Sequence, residues 1–249
     1  MTARFKFVSF DGVELSWQEV GTGRAVVLLH ELFSTGDINW TRYGQAAQLV
    51  EAGFRVILPD LRGHGQSAAP HEAAAYPADV LAQDAAALVA HLGLTDYDLG
   101  GYSLGGRTTV RCLVRGMTPR RAMVAGMGLT GLTEIGKRTD WFLNVIENAD
   151  SFALGSNGWT AVQFMRTNKV DGAAVAQVLR SQVVTTAAEI AGIGTPVLVL
   201  CGAEDRDNGS APDLAAALPH GTYVEMPGTH MSAVVGPAMG AAIVEYLSA

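Results

Sequence analysis

Apolar and polar residues follow two different rhythms along this chain of 249 residues. Positions 4–10 (RFKFVSF) and 13–20 (VELSWQEV) alternate with a period of two and are divided by Asp11-Gly12, which predicts an antiparallel hairpin. The runs AVVLLH (25–30), RVILPD (55–60) and Tyr97–Gly101 are apolar without interruption, the pattern of strands covered on both faces. Arg121–Ala125, Pro196–Gly202 and Thr222–Met226 predict three further strands. Helical spacing fills the intervals. It runs over 39–52 (Trp40, Tyr43, Ala46, Ala47, Leu49, Val50) as far as Gly53, and over 77–92 from Pro77 to Gly93. A helix containing Thr108–Gly116 and a closing helix at 233–247 complete the set.

Strands and helices alternating at this pitch predict an α/β fold, a mostly parallel twisted sheet with helices on both faces. The stretch 130–189 breaks the alternation. It carries Trp141, Phe142, Phe152, Trp159, Phe164 and Met165 and has the spacing of several helices with no strand. The expected organisation is therefore a core over 1–129 and 190–249 with a small helical cap over 130–189. The cap aromatics can form a small core of their own, a lid over the sheet, or both.

Composition narrows the partners. Hydrophobic residues make up 49% and charged residues 16%, with a net charge of −7. A body of that charge repels phosphate backbones and anionic lipid, so neither nucleic acid nor a membrane is an expected partner. The two cysteines, Cys112 and Cys201, lie outside any C-x-x-C spacing and are expected to be buried and reduced. The start of the chain lacks a signal-peptide apolar stretch, and no run of about 18 apolar residues occurs, so a cytoplasmic location is expected. With no phosphate-binding loop, zinc spacing or dinucleotide fingerprint, no cofactor and no metal are expected. Oligomeric state is not legible.

The chemistry begins at Gly101-Tyr-Ser-Leu-Gly105, a G-x-S-x-G placed where a buried strand ends and a helix begins. A serine at such a turn needs a base, and the base needs an orienting acid. In a parallel sheet the loops at the carboxyl ends of the strands share one edge, where ligands bind. His30, His64 and His230 follow strands, as do Asp60, Glu204, Asp205 and Asp207, whereas His91 and His220 fall at the opposite edge.

With these motifs in place, the sequence resembles the α/β-hydrolase superfamily along nearly its whole length. The segment LPDLRGHGQS (58–67) is a familiar signature of that family, in which Asp60, Arg62, His64 and Ser67 order the loop. The resemblance implies the chain order Ser103, Asp205, His230 for nucleophile, acid and base, with Asp207 as the alternative acid. It also implies an oxyanion hole made of the Leu32 and Leu104 N–H groups. One departure stands out: His30-Glu31-Leu32 has Glu31 where the family has glycine. An ionised carboxylate there would oppose a developing oxyanion, so Glu31 is expected to turn outward and pair with Arg62 or Arg107; the alternative is a substrate-selecting role. Haloalkane dehalogenases and epoxide hydrolases of this superfamily use an aspartate nucleophile, unlike this elbow. The implied activity is hydrolysis of a carboxylic ester or similar small acyl substrate, with Trp141 and Trp159 of the cap lining the pocket. Cleavage of a C–C bond or a lactone by the same triad is the alternative, and a non-catalytic ligand receptor a more distant one.

Overall fold

The computed structural model describes residues 3–249; residues 1 and 2, which the expected core includes, lie outside the described residues. The chain opens with β1 (Ala3–Val8), β2 (Glu14–Val20) and β3 (Arg24–Leu29), followed by α1 (Gln45–Glu51) and β4 (Phe54–Pro59). Next come α2 (Val80–His91), β5 (Tyr97–Tyr102), α3 (Leu104–Val114) and β6 (Ala122–Ala125). Five helices then follow without a strand: α4 (Leu129–Thr133), α5 (Gly136–Glu147), α6 (Asn157–Thr167), α7 (Gly172–Arg180) and α8 (Ala187–Ala191). The chain ends with β7 (Val197–Gly202), α9 (Ala211–Ala217), β8 (Gly221–Met226), α10 (His230–Ala233) and α11 (Pro237–Ser248).

The eight strands form one sheet in the order β1-β2-β4-β3-β5-β6-β7-β8. The predicted hairpin is present as β1 against β2, in a register running from Ala3↔Glu19 to Val8↔Glu14. β2 also pairs antiparallel with β4, while every pair from β4 through β8 is parallel. Successive side chains of a strand point to opposite faces, so β3 feeds two cores. Val27 and Leu29 pack toward α2, and Val26 and Leu28 pack with Trp40, Leu49 and Ile243 on the other side. The inter-strand helices bury Val145, Val162, Met165 and Val178 in the same cluster as Leu29, Leu32 and Phe33, so their core is continuous with that of the sheet.

Two expected helices are divided. The helix expected over 39–52 begins as a single wide turn at Asp37–Thr41 and restarts as α1 after Gly44, whose φ of 89° is left-handed and ends the first turn. The helix expected over 233–247 is split into α10 and α11, because Pro237 sits at the first turn of α11 and cannot continue a preceding helix. Among the described residues, no helix is long and apolar enough to cross a membrane.

Candidate active site

Ser103 occupies a sharp turn between β5 and α3. Its φ of 52° and ψ of −110° fall in a region that non-glycine residues rarely adopt, and its N–H donates to the Ala125 carbonyl at 2.8 Å. The flanking glycines let the turn close. A Cβ on Gly101 would collide with the Gly105 backbone, and one on Gly105 would collide with the Leu29 carbonyl of β3. Strand and helix therefore approach closely enough to lift the Ser103 hydroxyl out at the carboxyl edge of the sheet.

Three loops at that edge converge on the serine. His230 Nε2 lies 3.0 Å from Ser103 Oγ, and His230 Nδ1 lies 2.7 Å from Asp205 Oδ2. Asp205 Oδ1 accepts the Asp207 N–H at 3.0 Å. Burial pushes the Asp205 carboxyl upward, but the hydrogen bond and charge of His230 outweigh it, so Asp205 stays below the usual carboxylate range. The Asp207 carboxylate lies within 4.8 Å of the Asp205 and His230 side chains but makes no hydrogen bond to His230, pairing with Arg138 at 3.2 Å instead. The structure thus brings Ser103, Asp205 and His230 together and leaves Asp207 contributing a backbone N–H. A further contact was not legible in the sequence: the Tyr102 hydroxyl donates to the His230 carbonyl at 2.6 Å, which fixes the start of α10 over the elbow.

Opposite the histidine lies the loop after β3. Leu32 and Leu104 both line a small cavity beside Ser103, and neither N–H donates to another protein group among the described residues. The loop is held by its histidines. His30 Nε2 accepts the Leu61 N–H at 2.9 Å, and His64 Nε2 accepts the Phe33 N–H at 3.3 Å. Each ring must therefore carry its proton on Nδ1, facing the carbonyls of Glu31 at 2.7 Å and Arg62 at 3.1 Å. Burial pushes His30 down to about 4 and His64 to about 3, so both stay neutral braces. The rest of the 58–67 signature is equally structural. Arg62 is fully buried between Asp84 (2.7 Å) and Asp11 (2.6 Å), and Ser67 donates to the Asp60 carbonyl.

Glu31 departs from the sequence expectation. It is 6% exposed, faces the cavity that contains Ser103 and His230, and has no arginine partner. Arg62 is taken by the two aspartates just named, and Arg107 bonds the Gly131 carbonyl. Burial pushes the Glu31 carboxyl up to about 7, and the charge of His230 offsets only part of that rise. Burial, not an outward ion pair, is what sets the state of this carboxyl, holding it well above the usual carboxylate range. Nor does the loop need glycine's backbone freedom at position 31. The left-handed residue is Phe33, with φ of 61°, whose carbonyl accepts from Asn168 Nδ2 at 2.9 Å. Glu31 N–H is in turn held by Asn39 Oδ1 at 2.8 Å. No local sequence signal marks Phe33, Asn39 or Asn168 for these tasks.

A cavity of about 490 Å³ opens over Ser103 beneath the helices α5 and α6, lined by Trp141, Phe142 and Phe164 among others. Trp141 lies on it, but Trp159 does not, which corrects the sequence expectation. Asn157, Ala161 and Phe164 of α6 face the cavity, and Trp159 is two residues from Asn157, a rotation of about 200° around the helix. Cys112 and Cys201 are both buried and free, as their spacing suggested.

A mostly parallel sheet with a serine elbow after β5, and with an acid and a histidine following β7 and β8, is the architecture of the α/β-hydrolase fold. Residues 24–128 match the α/β hydrolase fold family. It is 40% identical over 105 residues to a non-heme haloperoxidase of Rhodococcus erythropolis, and 40% identical over 95 residues to the bifunctional epoxide hydrolase 2 of Sus scrofa. Those stretches cover 42% and 38% of this chain but only 36% and 17% of the two relatives. Among solved structures, a thermophilic esterase from Thermogutta terrifontis superposes with a TM-score of 0.79 at 24% identity, covering 99% of this chain and 98% of that one. The enol-lactonase of Burkholderia xenovorans superposes at 0.75 with 23% identity, over 98% of this chain and 100% of that one. At these identities the structural likeness speaks for the fold.

Proposed function

We propose that the protein is a serine hydrolase that cleaves a carboxylic ester or a similar small acyl compound through an acyl-enzyme. The observation that carries this reading is the continuous relay of Ser103 Oγ, His230 Nε2 and Nδ1, and Asp205 Oδ2, at 3.0 and 2.7 Å. Ser103 Oγ attacks the carbonyl carbon as His230 Nε2 takes its proton. The oxyanion forms against the Leu32 and Leu104 N–H groups, which lack protein acceptors. His230 then returns the proton to the leaving alkoxide. Water attacks the acyl-serine with the same histidine as base, which frees the acid and restores Ser103. Asp205 holds the imidazole with its proton on Nδ1 and stabilises the imidazolium that forms in both steps. The epoxide hydrolase likeness does not carry over to mechanism, because this elbow holds serine rather than the carboxylate that opens an epoxide.

Assay of the purified protein against phenyl esters of graded acyl length, together with lactones and β-diketones, tests the reading. Ester turnover lost by several orders of magnitude in Ser103→Ala, with folding intact, is the expected result. Turnover of β-diketones alone would move the activity to C–C cleavage, and full activity in Ser103→Ala would remove the nucleophile.

A further inference from the structure

We propose that the acyl substrate carries a free carboxylate on a short chain from its scissile carbonyl, and that Arg107 binds it in the small cavity beside Ser103. The proposal rests on the serine-hydrolase reading of the same site and adds the charge of the substrate.

Three arginines among the described residues are buried: Arg62, Arg107 and Arg111. Arg62 is held by Asp11 and Asp84, and Arg111 by Asp79 at 2.7 Å and Glu189 at 3.3 Å. Arg107 is different. It is 6% exposed, Nη2 reaches the Gly131 carbonyl, Nη1 has no protein partner, and no carboxylate pairs with it among the described residues. A buried guanidinium without a counter-ion is costly, several kcal/mol where nothing compensates it. The surroundings add to that cost: burial, then the charges of Arg138 and Arg111, push Arg107 down to about 10.

Position gives this cation a use. Arg107 lies one helical turn after the nucleophile, with its N–H on the Ser103 carbonyl at 2.9 Å. Its side chain lines the cavity that also touches Ser103 and the N–H donors' residues, Leu32 and Leu104. That cavity measures about 30 Å³, two to three times the ~10–15 Å³ that one water needs. The space holds a group the size of a carboxylate but not a bulky one, and a planar guanidinium matches a carboxylate in shape and charge. The 490 Å³ cavity meets the small one at Ser103, Leu32, Arg138 and Phe142. It holds Glu31, Glu204 and Asp207 against Arg138 and Arg206, so it offers an anion no comparable excess of positive charge. The substrate therefore seats with its short acidic arm toward Arg107 and its larger, uncharged part under Trp141 and Phe142.

The test compares kcat/KM for two probes of equal shape, the phenyl monoester of glutaric acid and its uncharged primary amide. The wild-type protein should prefer the acid by ten-fold or more. Arg107→Met should lower the acid-to-amide ratio by about 30-fold or more, equivalent to about 2 kcal/mol, mainly through KM. Arg107→Lys, which keeps the charge, should restore part of the ratio. A ratio unchanged in Arg107→Met overturns the proposal, as does a wild-type preference for the amide, which needs no variant to fold. If neither probe is cleaved, the proposal is also overturned. Labelling by an uncharged fluorophosphonate then separates the causes: Ser103 labelled leaves the hydrolase reading standing, and Ser103 unlabelled removes both.

Discussion

Replacing Glu31 by glutamine isolates the electrostatics of the loop beside the nucleophile. In the unfolded chain a glutamate loses its proton at 4.5, whereas burial raises Glu31 to about 7 in the folded protein. Between these values folding takes up a proton, so Glu31 contributes stability that is full below pH 4.5 and is lost as pH rises through 7. At 1.36 kcal/mol per pH unit, the rise corresponds to about 3 kcal/mol, a conversion justified by a side chain only 6% exposed. The neutral amide of Glu31→Gln does not titrate. Whatever it costs in packing or unmade hydrogen bonds is the same at every pH. Urea unfolding of both proteins at pH 4.5 and pH 8 therefore yields a difference of differences in which other titrating groups, His30 and His64 included, cancel. Glu31→Gln should gain about 3 kcal/mol on wild type between the two conditions. A stability difference that does not vary with pH would show that the carboxyl is solvated or ion-paired, and one of opposite sign would require a cation that the structure does not place there. Turnover offers a parallel check: the variant should match wild type below pH 7, where Glu31 is already neutral.

Three further outcomes follow from the site. Asp205→Asn should lower kcat by about 10³–10⁴-fold through a mis-set His230 tautomer, while Asp207→Asn, whose backbone N–H remains in place, should cost far less; steady-state kinetics on one ester decide the ranking. Trp141→Ala should change kcat/KM for bulky esters relative to short ones, and Trp159→Ala should not; equal selectivity changes in both would contradict the face assigned to α6. Gly105→Ala should destabilise the protein by about 3 kcal/mol in urea unfolding, because the new Cβ meets the Leu29 carbonyl, and a neutral effect would mean that the elbow is looser than described.

Much of this was legible in the chain because burial on both faces leaves a strong mark. AVVLLH, RVILPD and PVLVLCG are apolar runs that only covered strands tolerate, and they appear as β3, β4 and β7 within a residue or two of the expected limits. The elbow was legible because Gly101 and Gly105 report a close backbone approach that no other residue permits. Glu31 was misread for a physical reason. From sequence, turning the side chain out to an arginine costs less than keeping it protonated, which requires a large pKa rise, yet nearby arginines are committed to Asp11, Asp84 and the Gly131 carbonyl. Trp159 was misplaced because aromatic content alone does not tell which face of α6 meets the cavity. Phe33, Asn39, Tyr102 and Asn168 carry contacts between segments far apart in sequence, and nothing in their local pattern reports such contacts.

The central claim is that Ser103 is the activated nucleophile of the relay with His230 and Asp205. Mass spectrometry after treatment with an uncharged fluorophosphonate tests it most directly. One adduct per chain, on the peptide bearing Ser103, lost in Ser103→Ala and strongly slowed in His230→Ala, is the predicted result. An adduct on another serine, or labelling of Ser103 at the same rate without His230, would contradict it.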